Sequence, residues 1–207
     1  MTTRGVWIKQ APGIYEGKPL SDEFFALLKI SNIPEETIVT HRLETWKHRE
    51  GEDWWGYAKD YAMGKFDHPF LTLIGEKGTG KTHLAIAIGI EWMARGKTVL
   101  YYQIESLLDA LREGYTLWEK GNPEGYHKII AFTENASLLI LDDLGAEKKT
   151  DWAKAKLDQV CDYRYIHRRP LIVTSNVKFD ELPERIADRL FEGKVTHIKG
   201  ESYRRKK

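Results

Sequence analysis

One octet constrains the fold of this chain more than any other feature. Gly75-Glu76-Lys77-Gly78-Thr79-Gly80-Lys81-Thr82 follows directly on the apolar run Phe70-Leu71-Thr72-Leu73-Ile74 and opens a segment with helical periodicity. The glycines permit a tight loop whose backbone N–H groups point inward at phosphate oxygens, and the helix behind it adds its positive N-terminal end. Lys81 then supplies a mobile positive charge to the outer phosphates, and the Thr82 hydroxyl is placed as a Mg²⁺ ligand. Gly75 through Thr82, with the adjoining His83, are therefore the expected nucleotide contacts, and ATP with Mg²⁺ the expected cofactors.

From Phe70 onward, short apolar runs alternate with longer helix-like segments, the pattern of a parallel sheet covered by helices on both faces. Strands are expected near 70–74, 98–102, 138–142, 170–174 and 195–198. Helices are expected near 81–95 (closed by Gly96), 104–113, 123–135, 151–167 and 182–191, with Pro183 in the first turn of the last. The expectation is a three-layer α/β domain with a five-stranded parallel sheet. Residues 1–65 have a different texture, with Pro12, Pro19, Pro34 and scattered aromatics. A short helix there opens at Ser21, a cap, with Phe24, Leu27 and Leu28 on one face, and a second spans about 52–63 and ends at Gly64. Such short helices cannot form a core of their own and must pack on the rest of the chain or on a partner. The division expected is an N-terminal extension, 1–65, and an ATPase domain, 66–207.

No apolar run approaches the roughly 20 residues that cross a bilayer, so a cytoplasmic protein without a membrane partner is expected. The single cysteine, Cys161, falls in an apparent helix and suits packing better than chemistry. A net charge of +1 hides an asymmetry: residues 164–207 carry +6 and the remainder −5. With the tail Arg204-Arg205-Lys206-Lys207, the C-terminal part could face an anion such as nucleic acid.

Three further elements bear on chemistry. Ser137-Leu138-Leu139-Ile140-Leu141-Asp142-Asp143 is a buried-looking strand ending in two carboxylates. Asp142 is placed to hold Mg²⁺ through water, and Asp143 stands where a base for the attacking water is needed. Aspartate is one methylene shorter than glutamate, so slow hydrolysis is expected; Glu147 is an alternative base. Leu171-Ile172-Val173-Thr174-Ser175-Asn176 ends in an amide, and Asn176 is the candidate sensor of the terminal phosphate. Arg185 and Arg189, four apart on a helix, could act as fingers on a neighbouring subunit's phosphate or pair with carboxylates on their own surface. A finger would require self-association.

Together, Gly-Glu-Lys-Gly-Thr-Gly-Lys-Thr-His-Leu-Ala, Leu-Leu-Ile-Leu-Asp-Asp-Leu-Gly-Ala-Glu, Thr-Ser-Asn, Glu-Arg-Ile-Ala-Asp-Arg-Leu and the closing Lys-Gly-Glu-Ser-Tyr-Arg resemble the DnaC/DnaI family of replicative helicase loaders over roughly residues 45–205. The resemblance implies an AAA+ ATPase with ATP-dependent self-assembly, single-stranded DNA binding and delivery of a hexameric ring helicase. It makes Lys81 and Thr82 the Walker A pair, Asp142 and Asp143 the Walker B pair, Asn176 sensor 1, and Arg185 or Arg189 the finger. It also implies that Ile104 to Phe132 is a DNA-facing helical insertion, with Arg112, Lys120 and Lys128 as phosphate contacts and Leu107, Leu108 and Leu111 in the core. Thr45-Trp46-Lys47 resembles the family's short motif before the ATPase core, so Trp46 lies near adenine or simply in the core. A cysteine-rich zinc module is missing, which leaves residues 1–45 for helicase contact. Only nine residues follow the last expected strand, with no room for a full C-terminal lid.

An IstB-like transposition helper acting on duplex DNA shares nearly all these motifs and remains the alternative. A small-molecule kinase would need an acceptor pocket and an Arg-bearing lid, for which no segment is evident. A non-hydrolysing adaptor is kept open by Asp143.

Overall fold

The computed structural model describes residues 20–43, 46, 54–122, 124–200 and 202–203. Five parallel strands, β1 (Phe70–Ile74), β2 (Val99–Gln103), β3 (Leu138–Leu144), β4 (Leu171–Ser175) and β5 (Lys194–His197), form one sheet in the order β2-β3-β4-β1-β5. The central strands β1 and β4 are buried along their whole length. That is why they appear in the sequence as continuous apolar runs rather than alternating ones.

The two faces follow from the two-residue period of a strand. Leu138 and Ile140 enter one core with Leu71, Leu73 and Ile172, whereas Leu139 and Leu141 enter the other with Phe70, Leu171 and Val173. The first face is covered by α4 (Lys81–Met93) and by α1 (Asp22–Ile30), α2 (Thr37–Thr40) and α3 (Trp54–Ala62). The second is covered by α5 (Ile104–Glu119), α6 (Glu124–Asn135), α7 (Asp151–Ile166) and α8 (Glu184–Glu192). Each fully buried Leu or Ile contributes roughly 1.5–3 kcal/mol.

The described part of residues 1–65 packs on the rest of the chain. Ser21 caps α1 by accepting from the Phe24 N–H, and Phe24 and Leu28 are buried. The Tyr101 N–H donates to the Ser31 carbonyl at 2.7 Å, so the turn after α1 covers the outer edge of β2. Tyr61 donates to the Pro69 carbonyl and Trp92 to the Tyr61 carbonyl, which ties α3 to α4 and β1. Gly64 and Gly96 close α3 and α4 in the left-handed region, as expected.

Two expectations need correction, and two elements were not foreseen. Helix α5 does not stop at residue 113 but runs through Gly114 to Glu119. The glycine does not break it because it is needed for packing: a Cβ there would lie 3.0 Å from the Tyr126 backbone, so Gly114 lets α5 and α6 approach closely. Pro183 precedes α8 as its N-cap residue rather than lying within its first turn. Helix α2 and a 3₁₀ turn at Phe179–Glu181 had no sequence signal strong enough to place them.

Among the described residues no helix is long and apolar enough to cross a membrane. Cys161 is buried in α7 and its thiol is pushed up to about 12, chiefly by burial, which suits packing. Residues 1–19, 44, 45, 47–53, 123, 201 and 204–207, including Thr45, Lys47 and the basic tail, lie outside the described residues.

Candidate nucleotide site

The strand order brings the C-terminal ends of β3, β4 and β1 side by side, and a cavity of about 600 Å³ opens above them. Ligands in open α/β sheets bind at this end. Lys77, Gly78, Gly80, Lys81, Thr82 and His83 line the cavity. Gly75 and Glu76 do not: Gly75 sits at the base, where a Cβ would fall 2.3 Å from the Ile198 carbonyl, and the Glu76 side chain is exposed. Thr79 is buried and its hydroxyl donates to the Glu76 carbonyl, bracing the loop. Gly80, with φ of 104°, starts α4, and a Cβ on it would lie 2.5 Å from the Trp46 ring. Trp46 is buried and packs, stacking on Trp55 at 6.2 Å, as the core alternative expected, and it also lines the cavity.

Lys81 is 5% exposed, and its ammonium donates to the Gly75 and Glu76 carbonyls, both at 2.8 Å, and to Asn176 Oδ1 at 2.7 Å. Asn176 Nδ2 in turn donates to Asp143 Oδ1. Residues that the sequence placed on three separate motifs are therefore joined in one chain, Lys81, Asn176, Asp143.

Between Leu141 and Leu144 the pairing of β3 with β4 shifts register. Asp143 has φ of 67°, and its N–H donates to the Thr174 hydroxyl. The irregularity re-aims the two acidic side chains at the end of the strand. Asp142, 3% exposed, accepts from Thr82 Oγ1 at 2.9 and 3.1 Å, from Thr174 Oγ1 at 2.6 Å and from Tyr101 Oη at 2.9 Å. The hydroxyl of Thr82 and the carboxylate of Asp142, adjacent and all-oxygen, form a donor set that fits Mg²⁺ with its remaining positions on water and phosphate. Burial and the neighbouring Asp142 push the Tyr101 phenol far up, so it remains a donor. Glu147, the alternative base, is buried away from the cavity lining and accepts from the Gly145 N–H at 2.8 Å.

Tyr101, Thr174, His41 and Tyr203 also belong to the site and were not singled out by sequence. His41 stacks on His83 with centroids 4.7 Å apart, and burial lowers both imidazole pKa values. The Tyr203 N–H donates to the Gly78 carbonyl, so the Ser202-Tyr203 pair lies along the glycine-rich loop. Only the quoted Ser-Tyr-Arg ending hinted at this.

The sequence profile of the IstB-like ATP binding proteins matches residues 67–207, the whole stretch that builds this site. The chain belongs to the IstB-like ATP-binding family. It is 30% identical over 137 residues to the replicative helicase loader DnaC of Escherichia coli (strain K12), covering 65% of this chain and 54% of DnaC. It is 33% identical over 145 residues to an insertion sequence IS5376 protein of Geobacillus stearothermophilus, covering 65% of this chain and 55% of that protein. The chain thus spans about half the length of the curated relatives it matches. In fold it resembles the crystal structure of the DnaC helicase loader, with a TM-score of 0.67 at 22% identity, covering 80% of this chain and 100% of that one. The three-layer α/β architecture with a five-stranded parallel sheet, expected from the sequence, is the architecture found.

Two sets of candidates of this IstB-like chain are not gathered at the cavity. Arg185 and Arg189 both pair with Asp162 on α7, Arg189 Nε at 2.9 Å, and Arg189 lies over the Tyr165 ring. The Arg112, Lys120 and Lys128 positions fall on the α5–α6 hairpin and its turn, where Arg112 pairs with Asp109 and covers Trp152, and Lys128 lies by Phe132. Leu107, Leu108 and Leu111 are buried, as expected.

Proposed function

We propose that this chain is an ATPase that loads a hexameric replicative helicase onto single-stranded DNA, with ATP binding and hydrolysis as its assembly switch. The observation that carries the reading is the Lys81–Asn176–Asp143 chain beside the Thr82–Asp142 pair. One amide there touches both the group that would hold a terminal phosphate and the group that would activate water. In this reading the loop amides from Lys77 to Thr82 hold the phosphates, and Lys81 exchanges its carbonyl partners for phosphate oxygens. Thr82 and Asp142 would hold Mg²⁺, which supplies charge neutralisation at the transferring phosphoryl group. Asp143 accepts a proton as water attacks the terminal phosphorus and its bond to the bridging oxygen breaks, releasing ADP and phosphate. Asn176, released from Lys81, registers which nucleotide is present.

Self-association would let Arg185 or Arg189 leave Asp162 and complete a neighbour's site. Residues 1–65 form the partner-binding extension, with residues 1–45 the helicase contact, and residues 66–207 the ATPase domain. Arg112, Lys120 and Lys128 meet DNA phosphate, in the cytoplasm. Similarity to DnaC supports the helicase as partner. The test is light-scattering chromatography with the replicative helicase of the same source, together with ATP-dependent helicase transfer onto circular single-stranded DNA. Complex formation and ATP-dependent transfer are the expected result, and a helicase that elutes alone would overturn the reading.

A second reading, an IstB-like transposition helper on duplex DNA, is favoured by the IstB-like profile and the IS5376 relative. ATP-dependent filaments on duplex DNA without a helicase complex would select it.

A further inference from the structure

The proposal concerns Tyr101, a residue on the covered edge strand with no role in the reaction described above. Its ring belongs to the core under α4, yet its hydroxyl leaves the apolar surroundings to donate to Asp142 Oδ2 at 2.9 Å. On the opposite side, Thr174 donates to Asp142 Oδ1 at 2.6 Å. A carboxylate offers about four lone-pair directions. Tyr101 takes one on Oδ2, Thr174 takes one on Oδ1, and the Thr82 hydroxyl straddles the remaining space between the oxygens at 2.9 and 3.1 Å. The three donors come from β2, β4 and the start of α4, so they fix the carboxylate plane from three separate elements.

We propose that Tyr101, together with Thr174, is a positioning residue that holds the Asp142 carboxylate in the orientation needed by a nucleotide-bound divalent cation, and so sets the cation concentration the site requires. The inference rests on the nucleotide-site reading above. When Thr82 turns its oxygen lone pair to a cation, the side of the carboxylate that it occupied is left for a cation-bound water, while Tyr101 and Thr174 keep the other directions filled. Groups that orient a metal-binding carboxylate in this way govern metal affinity without touching the metal. Packing alone does not call for the phenol: a phenylalanine would fill the same space in the core. What it could not do is donate to Oδ2 from the β2 side, which leaves a carboxylate that is 3% exposed held from two elements rather than three.

The measurement is the affinity of the intact chain for a fluorescent ATP analogue across a MgCl₂ titration, begun in EDTA, for the parent, Tyr101→Phe, Thr174→Val, Thr174→Ser and Lys81→Ala. For Tyr101→Phe and Thr174→Val, the affinity measured in EDTA is the baseline against which tightening by Mg²⁺ is read. Each should require about tenfold more Mg²⁺ for half-maximal tightening. Thr174→Ser, which keeps the hydroxyl, should return to the parent's curve. Thermal melting of each variant is recorded alongside. A lower melting temperature with a Mg²⁺ curve superimposed on the parent's makes the hydroxyls structural only and overturns the proposal. If that occurs while Lys81→Ala loses nucleotide, the nucleotide site stands and only the positioning role falls. A parent that binds no nucleotide at any Mg²⁺ concentration overturns both.

Discussion

The amide of Asn176 accepts from the Lys81 ammonium at 2.7 Å and donates to the Asp143 carboxylate, so one side chain couples the lysine of the glycine-rich loop to the outer acidic residue. Asn176→Ala cuts that chain while leaving the loop amides and the Thr82–Asp142 pair in place. Nucleotide affinity should change little, whereas the hydrolysis rate should fall about 30-fold, equivalent to about 2 kcal/mol in the barrier. Equilibrium binding of an ATP analogue beside steady-state phosphate release separates the two quantities. Equal losses in both would mean that Asn176 serves binding alone.

The left-handed backbone of Asp143, with φ of 67°, suits an aspartate better than most residues. Asp143→Glu lengthens the reach toward the attacking water by one methylene at the cost of added backbone strain. The expected outcome is a hydrolysis rate several-fold higher together with a loss of about 1 kcal/mol in stability. Phosphate release and chemical denaturation check each half. An unchanged rate would show that reach does not limit the parent.

These two predictions rest on residues that sequence spacing alone exposed. The glycine pattern of Gly75–Thr82 has meaning only as a tight loop between strand and helix, and Asp142-Asp143 and Asn176 each end an apolar run, so the sheet had to bring them together. Tyr101 and Thr174 gave no such signal. Each lies towards the end of a largely apolar strand beside another hydroxyl residue, Tyr102 or Ser175, so neither stands out, and only the lateral order of β2, β3 and β4 turns both onto Asp142. Arg185 and Arg189 were correctly placed on one helical face, but periodicity carries no information about Asp162, 23 and 27 residues away. Local propensity likewise ended α5 early, because it penalises Gly114 without knowing what packs against it.

That contact at Gly114 gives a contrast between two helical glycines. A Cβ at Gly114 would lie 3.0 Å from the Tyr126 backbone, whereas one at Gly56 in α3 meets nothing within 4 Å. Gly114→Ala must spread α5 and α6 and should destabilise by about 2 kcal/mol. Gly56→Ala lowers the entropy lost on folding and should stabilise by about 0.5–1 kcal/mol. Denaturant melts of the two variants should therefore move in opposite directions.

Arg164 is fully buried and uses its guanidinium to cap main-chain carbonyls of Thr133, Glu134, Ala136 and Pro170, joining the end of α6 to the starts of β3 and β4. Burial depresses its pKa to about 10. It therefore stays charged at neutral pH. Arg164→Leu restores apolar volume but leaves those carbonyls without a donor, at a cost of about 3 kcal/mol or more. The melting temperature should drop, with the residual fold still binding nucleotide in the cold. A melt unchanged from the parent would mean that water replaces the guanidinium.

His68 supplies a pH dependence of known sign. Its Nδ1 accepts from the Phe70 N–H at 3.2 Å at the start of β1, which requires that nitrogen to be unprotonated. Burial, then Arg168, lowers its pKa, with Glu192 opposing. The folded chain thus binds this proton less readily than the unfolded chain, whose imidazole titrates near 6.5. Stability is unaffected well above that pH, declines as pH falls below it, and the loss is complete once pH passes below the lowered folded value. Asn in place of His68 offers an acceptor at a similar position without a titrating group. The melting temperature of His68→Asn should therefore decline less than the parent's between pH 7.5 and 5.5. Parallel curves would exclude His68 as a source of acid lability.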